Sequence, residues 1–135
     1  MPEMEWSNDY ATGIDEIDKQ HIFLFDLVNR LIREAAISAT PASINEVIEE
    51  LVRYTVYHFD FEEGIMKKVN YPHYTEHKKK HEGLKAQVQL YAAELRAGGL
   101  DMVDFVDFMK SWLKFHILRE DMKYVAALAP VWHGK

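Results

Sequence analysis

His77 and His81 stand four residues apart, as do His58 and Glu62. On a helix that spacing puts both side chains on one face, where two imidazoles, or an imidazole and a carboxylate, can hold a single ion. His21 and His116 stand singly, and Asp121 follows His116 by five positions. Five positions is about 140° out of phase on a regular helix. Spacing alone therefore reads Asp121 as a solvated acid in the polar run Arg119-Glu120-Asp121, unless the helix ends, bulges or tightens there. The chain has no cysteine, which excludes thiolate sites, iron–sulfur clusters, disulfides and cysteine nucleophiles. Five imidazoles and two carboxylates are too many for one ion with an open position. They suit two ions bridged by carboxylates, a design known in helical-bundle cores. One zinc would leave several groups idle. Imidazole and carboxylate ligation without sulfur fits iron best, with manganese or copper as alternatives. No glutamate has a histidine three residues later, and no His-Glu-x-x-His occurs, so neither the ferritin-like pattern nor the metalloprotease motif is present.

Such groups need rigid elements to bring them together, and the punctuation of the chain supplies four. Gly13 ends an N-terminal arm, Thr40-Pro41 has the form of an N-cap and first helical proline, Asn70-Tyr71-Pro72 marks a break, and Gly98-Gly99 before Asp101 reads as a stop and a new cap. Between these marks the apolar positions step by three and four: Ile14, Ile17, His21, Leu24, Val28 and Leu31; Ile44, Ile48, Leu51, Thr55, His58, Glu62 and Ile65; Tyr74, His77, His81, Leu84, Val88, Tyr91 and Leu95; Met102, Phe105, Met109, Trp112 and His116. No sustained alternation of period two suggests a strand. The reading is all-α: an antiparallel up-down-up-down four-helix bundle with an N-terminal arm and a short C-terminal helix. Five of the seven histidines, and Glu62, fall on seam positions; His73 and His133 do not. In an antiparallel bundle the start of the first and third helices and the end of the second and fourth share one level. There His21, His58, Glu62, His77, His81 and His116 come within roughly two turns of one another.

Length and charge set the frame. The 135 residues suffice for one domain, with the arm at about 1–13, the bundle at about 14–122 and a C-terminal segment at about 123–135. Net charge −6 argues against a nucleic-acid partner. The acidic start MPEMEWSND lacks the features of a signal peptide. The longest apolar run, Tyr124 to Trp132, is nine residues and contains Pro130, too short for an integral membrane segment. The run Ala126 to Trp132 is expected to pack as a short final helix, and the cytoplasm is the expected location.

Taken together these residues resemble the hemerythrin family, most closely its single-domain bacterial form, the bacteriohemerythrins. The likeness runs over almost the whole chain: Trp6, Tyr10, Gly13-Ile14 and Ile17-Asp18-Lys19-Gln20-His21, then His58-x-x-x-Glu62, His77-x-x-x-His81 and His116-x-x-x-x-Asp121, in the family's order. The resemblance makes Asp121 a ligand despite its spacing. It implies two iron ions, oxo- or hydroxo-bridged: His77, His81 and His116 on a saturated iron, His21 and His58 on an iron with an open position, and Glu62 and Asp121 bridging. It implies an oxygen pocket lined by Phe59, Trp112, Leu113 and Ile117, with Tyr124 just outside the ligands.

The function so implied is reversible dioxygen binding at a non-haem di-iron centre, for transport, storage or delivery to an oxygen-consuming enzyme, by a protein that is not itself an enzyme. The alternatives are an oxygen or redox sensor acting through a partner, a di-iron redox enzyme acting on peroxide, nitric oxide or ferrous iron, and iron buffering. The expected partners are dioxygen and a receiving enzyme, and the expected state is a monomer.

Overall fold

The structure, a computed structural model, describes residues 3–37, 40–128 and 130. Among them the chain is all-helical. A 3₁₀ turn at Asn8–Tyr10 precedes α1 (Asp15–Ala36), α2 (Pro41–Lys68), α3 (Tyr74–Arg96) and α4 (Met102–Phe115); a π-helical turn (His116–Asp121) then leads into α5 (Met122–Leu128). Cross-helix contacts fix the direction of each neighbour. Arg30 meets Glu50 while His21 meets His58, so α1 and α2 run antiparallel. Tyr91 meets Phe105 while His81 meets His116, so α3 and α4 do too.

The caps follow the expected chemistry. Thr40 Oγ1 accepts from the Ser43 amide at 3.2 Å and Asp101 Oδ1 from the Asp104 amide at 3.1 Å. Asn70 (φ 54°) and Gly98 (φ 79°) take the left-handed conformation that ends α2 and α3. The next residue in each case returns its amide to the helix, Tyr71 to Met66 O and Gly99 to Glu94 O, both at 2.9 Å. α1 is started differently. Its N-cap, Ile14, offers no side-chain acceptor. Asp18 takes over from within the first turn, accepting from the Thr12 amide and hydroxyl, both at 2.8 Å, and from the Gly13 amide at 3.3 Å. Further out, Asn29 clasps the Met4 backbone, and Trp6 and Tyr10 pack on Phe25. The arm therefore lies against α1, and His21 is held one turn beyond the Asp18 junction.

The apolar interior has two parts. The larger, including Leu24, Val28, Leu31, Ile48, Leu51, Leu84, Val88, Phe105 and Met109, fills the bundle away from the histidine level. A smaller one, of Ile14, Ile17, Ile65, Met66, Tyr71, Tyr124 and Leu128, closes the other end. The histidine-bearing turns lie between the two.

The four helices are unequal, with 28 residues in α2 and 14 in α4. The expected short C-terminal helix is α5, which follows α4 and the π turn without a break and buries Tyr124 and Leu128 while Ala126 and Ala127 stay exposed. Of the expected segment up to Trp132, residues 129, 131 and 132 lie outside the described residues, as does His133. No helix among the described residues is long and apolar enough to cross a membrane.

Because one carboxylate serves three donors at the start of α1, Asp18→Ala should destabilise the chain by ~2 kcal/mol. Chemical denaturation would measure this, and an unchanged midpoint would show that the arm does not depend on Asp18.

Candidate metal centre

All seven seam and motif residues are buried: His21, His81, Glu62 and Asp121 at 0%, His58 at 1%, His77 at 3% and His116 at 6% exposed. Five arrive there on regular helix, and His116 opens the π turn that follows α4. Asp121 arrives by the π turn, in which the chain closes on the fifth residue instead of the fourth. One extra residue per turn brings position 121 back to the face of 116, and His116 Nε2 lies 3.0 Å from Asp121 Oδ1. Of the three ways the helix could admit Asp121, it bulges. Lys80 pairs with Glu120 and ties this turn to α3.

The imidazoles turn Nε2 inward onto the two carboxylates. Asp121 Oδ1 lies 3.1 Å from His77 Nε2, and Asp121 Oδ2 lies 3.1 Å from His21 Nε2. Glu62 Oε1 lies 3.1 Å from His58 Nε2 and 3.5 Å from His81 Nε2; Glu62 Oε2 lies 3.8 Å from His21 Nε2. The Nε2 atoms of His81 and His116 face each other at 3.1 Å. These close approaches satisfy little. Among the described residues, both ring nitrogens of His21, Nε2 of His77, Oε1 of Glu62 and both oxygens of Asp121 are buried without a hydrogen-bond partner, a costly state for polar atoms away from water.

The donor atoms sort into two overlapping sets, each within 4.8 Å: Glu62, His77, His81, His116 and Asp121 in one, and His21, His58, Glu62 and Asp121 in the other. Three imidazoles lie on one side, two on the other, and both carboxylates belong to each. Sulfur-free nitrogen and oxygen donors, orphaned and aimed at common points, fit a pair of divalent transition-metal ions.

Electrostatics points the same way. Burial pushes the Asp121 carboxyl up, but His116, His21 and His77 beside it hold it well below the usual carboxylate range. Burial and Asp121 push Glu62 up, and His58 and His21 outweigh them and keep it low. Burial pulls the His21 imidazole down, yet the Asp121 and Glu62 carboxylates raise it to about 9. Burial takes His81 down to about 2. Two buried carboxylates held low in a dry layer demand positive charge beside them. Cations at the shared positions would supply it.

A model of the hemerythrin HHE cation binding domain matches residues 12–128. The chain belongs to the hemerythrin family. It is 38% identical over 128 residues to a bacteriohemerythrin of Pseudomonas paraeruginosa, covering 95% of this chain and 83% of that protein. With a bacteriohemerythrin of Methylococcus capsulatus it shares 30% identity over 131 residues, covering 96% and 99% of the two chains. A solved wild-type hemerythrin superposes with a TM-score of 0.86 at 29% identity, covering 95% of this chain and 99% of that one.

The surroundings of this candidate centre hold groups that the seam pattern did not single out. His58 Nδ1 lies 2.6 Å from Gln20 Oε1, and His81 Nδ1 lies 2.9 Å from Glu63 Oε2. Gln20 precedes His21 and Glu63 follows Glu62 in the chain, so both sit one position off the inward seam. Their signal was adjacency to a ligand-type residue on a helix whose flank is also buried. The Tyr124 hydroxyl donates to Glu62 Oε2, and burial, then the Glu62 charge, raises its phenol well above the ordinary range.

The expected pocket residues are close-packed. Phe59 stacks on His81 at 3.6 Å between centroids and 2° between planes, and Trp112 on His116 at 4.2 Å and 12°. Leu113 and Ile117 are buried in the larger apolar cluster. An open groove of about 510 Å³ between α3 and α4 reaches Trp112 and His116, but not Phe59, Leu113 or Ile117. The His73 side chain is exposed beside Tyr71 and belongs to neither donor set.

His73→Ala and His133→Ala should leave bound metal per chain unchanged, whereas His77→Ala should lower it by at least one ion. Elemental analysis of the purified variants checks this, and metal loss in either of the first two would redraw the donor set.

Proposed function

We propose that this hemerythrin binds dioxygen reversibly at two iron ions, as a carrier or store that delivers oxygen to an oxygen-consuming enzyme. His77, His81 and His116 would hold one iron, His21 and His58 the other, and Glu62 and Asp121 would be shared between them, with an oxo or hydroxo group as the further ligand. The two overlapping donor sets carry this reading: three imidazoles against two leaves the second position short of a ligand, which is where a small molecule can enter. When bound, the ferrous pair supplies the electrons that dioxygen takes up and the open position at which it arrives.

The chain's own residues favour binding over further chemistry. Neutral imidazoles donate less charge than carboxylates, so higher oxidation states are less accessible than in carboxylate-rich oxidases. Phe59, Trp112, Leu113 and Ile117 supply apolar walls that keep water and protons from bound oxygen. Tyr124, hydrogen-bonded to Glu62, fixes the orientation of a bridging carboxylate. The reading is of a one-domain, monomeric, cytoplasmic binding protein over residues 1–135, and not of an enzyme.

The direct test reduces the iron-loaded protein anaerobically, admits dioxygen and removes it under vacuum, following the visible spectrum. A charge-transfer band that comes and goes over repeated cycles is expected; a single irreversible oxidation would refute the reading in favour of redox catalysis or iron handling. Leu113→Ala should open the dry wall and speed autoxidation by roughly tenfold, ~1.4 kcal/mol off the barrier. Unaltered kinetics would remove Leu113 from the pocket.

A further inference from the structure

The imidazoles that face the carboxylates differ in what stands behind them. Behind His58 is the neutral amide oxygen of Gln20, at 2.6 Å. Behind His21 there is no partner for Nδ1 among the described residues. Behind His81 is the carboxylate of Glu63, at 2.9 Å and 7% exposed. The His81 ring also lies flat on Phe59. An imidazole that donates Nδ1–H to a carboxylate gains anionic character and becomes a stronger electron donor through Nε2; one that donates to an amide gains much less. Burial magnifies the difference, because little water screens the charge.

We propose that Glu63, acting through His81, lowers the reduction potential of the iron at the three-imidazole end, while Gln20 leaves the iron at the two-imidazole end without such a donor. This rests on the di-iron reading above. Each ferrous ion gives up one electron on oxidation, and the Glu63–His81 pair makes the electron at the saturated end the easier of the two to remove. The end that meets dioxygen stays the more weakly reducing, a bias toward release. Glu63 and Gln20 are positioning residues: neither belongs to the two donor sets, and each acts through an imidazole.

The test separates charge from shape. Glu63→Gln keeps an acceptor for His81 Nδ1 and removes the charge; Glu63→Ala removes both; Gln20→Glu adds a charge behind His58. Each iron-loaded variant is titrated in a mediated spectroelectrochemical cell, with electrons supplied by the electrode, and its ferrous affinity is measured against a competing chelator. Glu63→Gln should move the first oxidation to more positive potential and slow autoxidation. Its affinity for one of the two irons should fall by about tenfold, at the low end of what outer hydrogen-bond partners contribute. Gln20→Glu should move an oxidation to more negative potential.

A Glu63→Gln midpoint that coincides with wild type, with only Glu63→Ala altered, would show that Glu63 merely orients the ring, and would overturn the proposal. If Glu63→Gln fails to load two irons, Gln20→Glu decides, and no negative shift there overturns it equally. Oxygen cycling is read separately: wild type that holds two irons but never releases oxygen refutes the oxygen-binding reading while leaving the effect of Glu63 on the midpoint measurable.

Discussion

Two carboxylates with no exposed surface, Glu62 and Asp121, are the constraint from which the rest of this structure follows. A buried carboxylate is tolerated only when positive charge and donors surround it. Five imidazoles do so here, and they reach the same level only because four helix ends coincide. The antiparallel order, the tight stops at Asn70 and Gly98, and the Asp18 junction at the start of α1 all keep that level in register. The apolar clusters on either side, one along the bundle and one capping its end, exclude the water that would otherwise satisfy the layer.

The π turn is where the chain departs from regular helix to meet the demand. Up to His116 the inward residues of α4 step by three and four. From His116 the next residue to reach the donor layer is Asp121, a step of five, after which the buried Tyr124 and Leu128 resume steps of three and four. One extra residue thus re-phases everything that follows. It brings in the second carboxylate, then the phenol that donates to the first carboxylate, then the leucine that seals the end cluster. A regular helix through this stretch would have turned Asp121 away from the His116 face and left His116, His77 and His21 without their shared acceptor.

Much of this was legible in the sequence because burial leaves a periodic trace. The seam positions of all four helices are buried or half-buried as the three-and-four spacing required, and Thr40, Asp101, Gly13 and Gly98 act where their side chains or backbone freedom suggested. Asp121 was legible through the family resemblance and not through spacing, since its face depends on a local change of helix type that no periodicity reports. Gln20 and Glu63 escaped for a different reason. Each sits about 100° around the helix from a seam residue, on a flank where a polar residue is ordinarily solvated. Only the packing of α1 against α2, and of α2 against α3, turns those flanks toward an imidazole. The run of α4 into α5 was also hidden, because Asp121 stands at a place where a polar run mimics a helix end.

The central claim is that the two shared carboxylates hold two ions as one coupled unit. A Mössbauer spectrum of the iron-loaded, oxidised chain, with iron counted on the same sample, tests it most directly. Two irons per chain, both ferric and strongly antiferromagnetically coupled, is the result expected. One iron per chain, or two that behave as isolated high-spin ions, would contradict it.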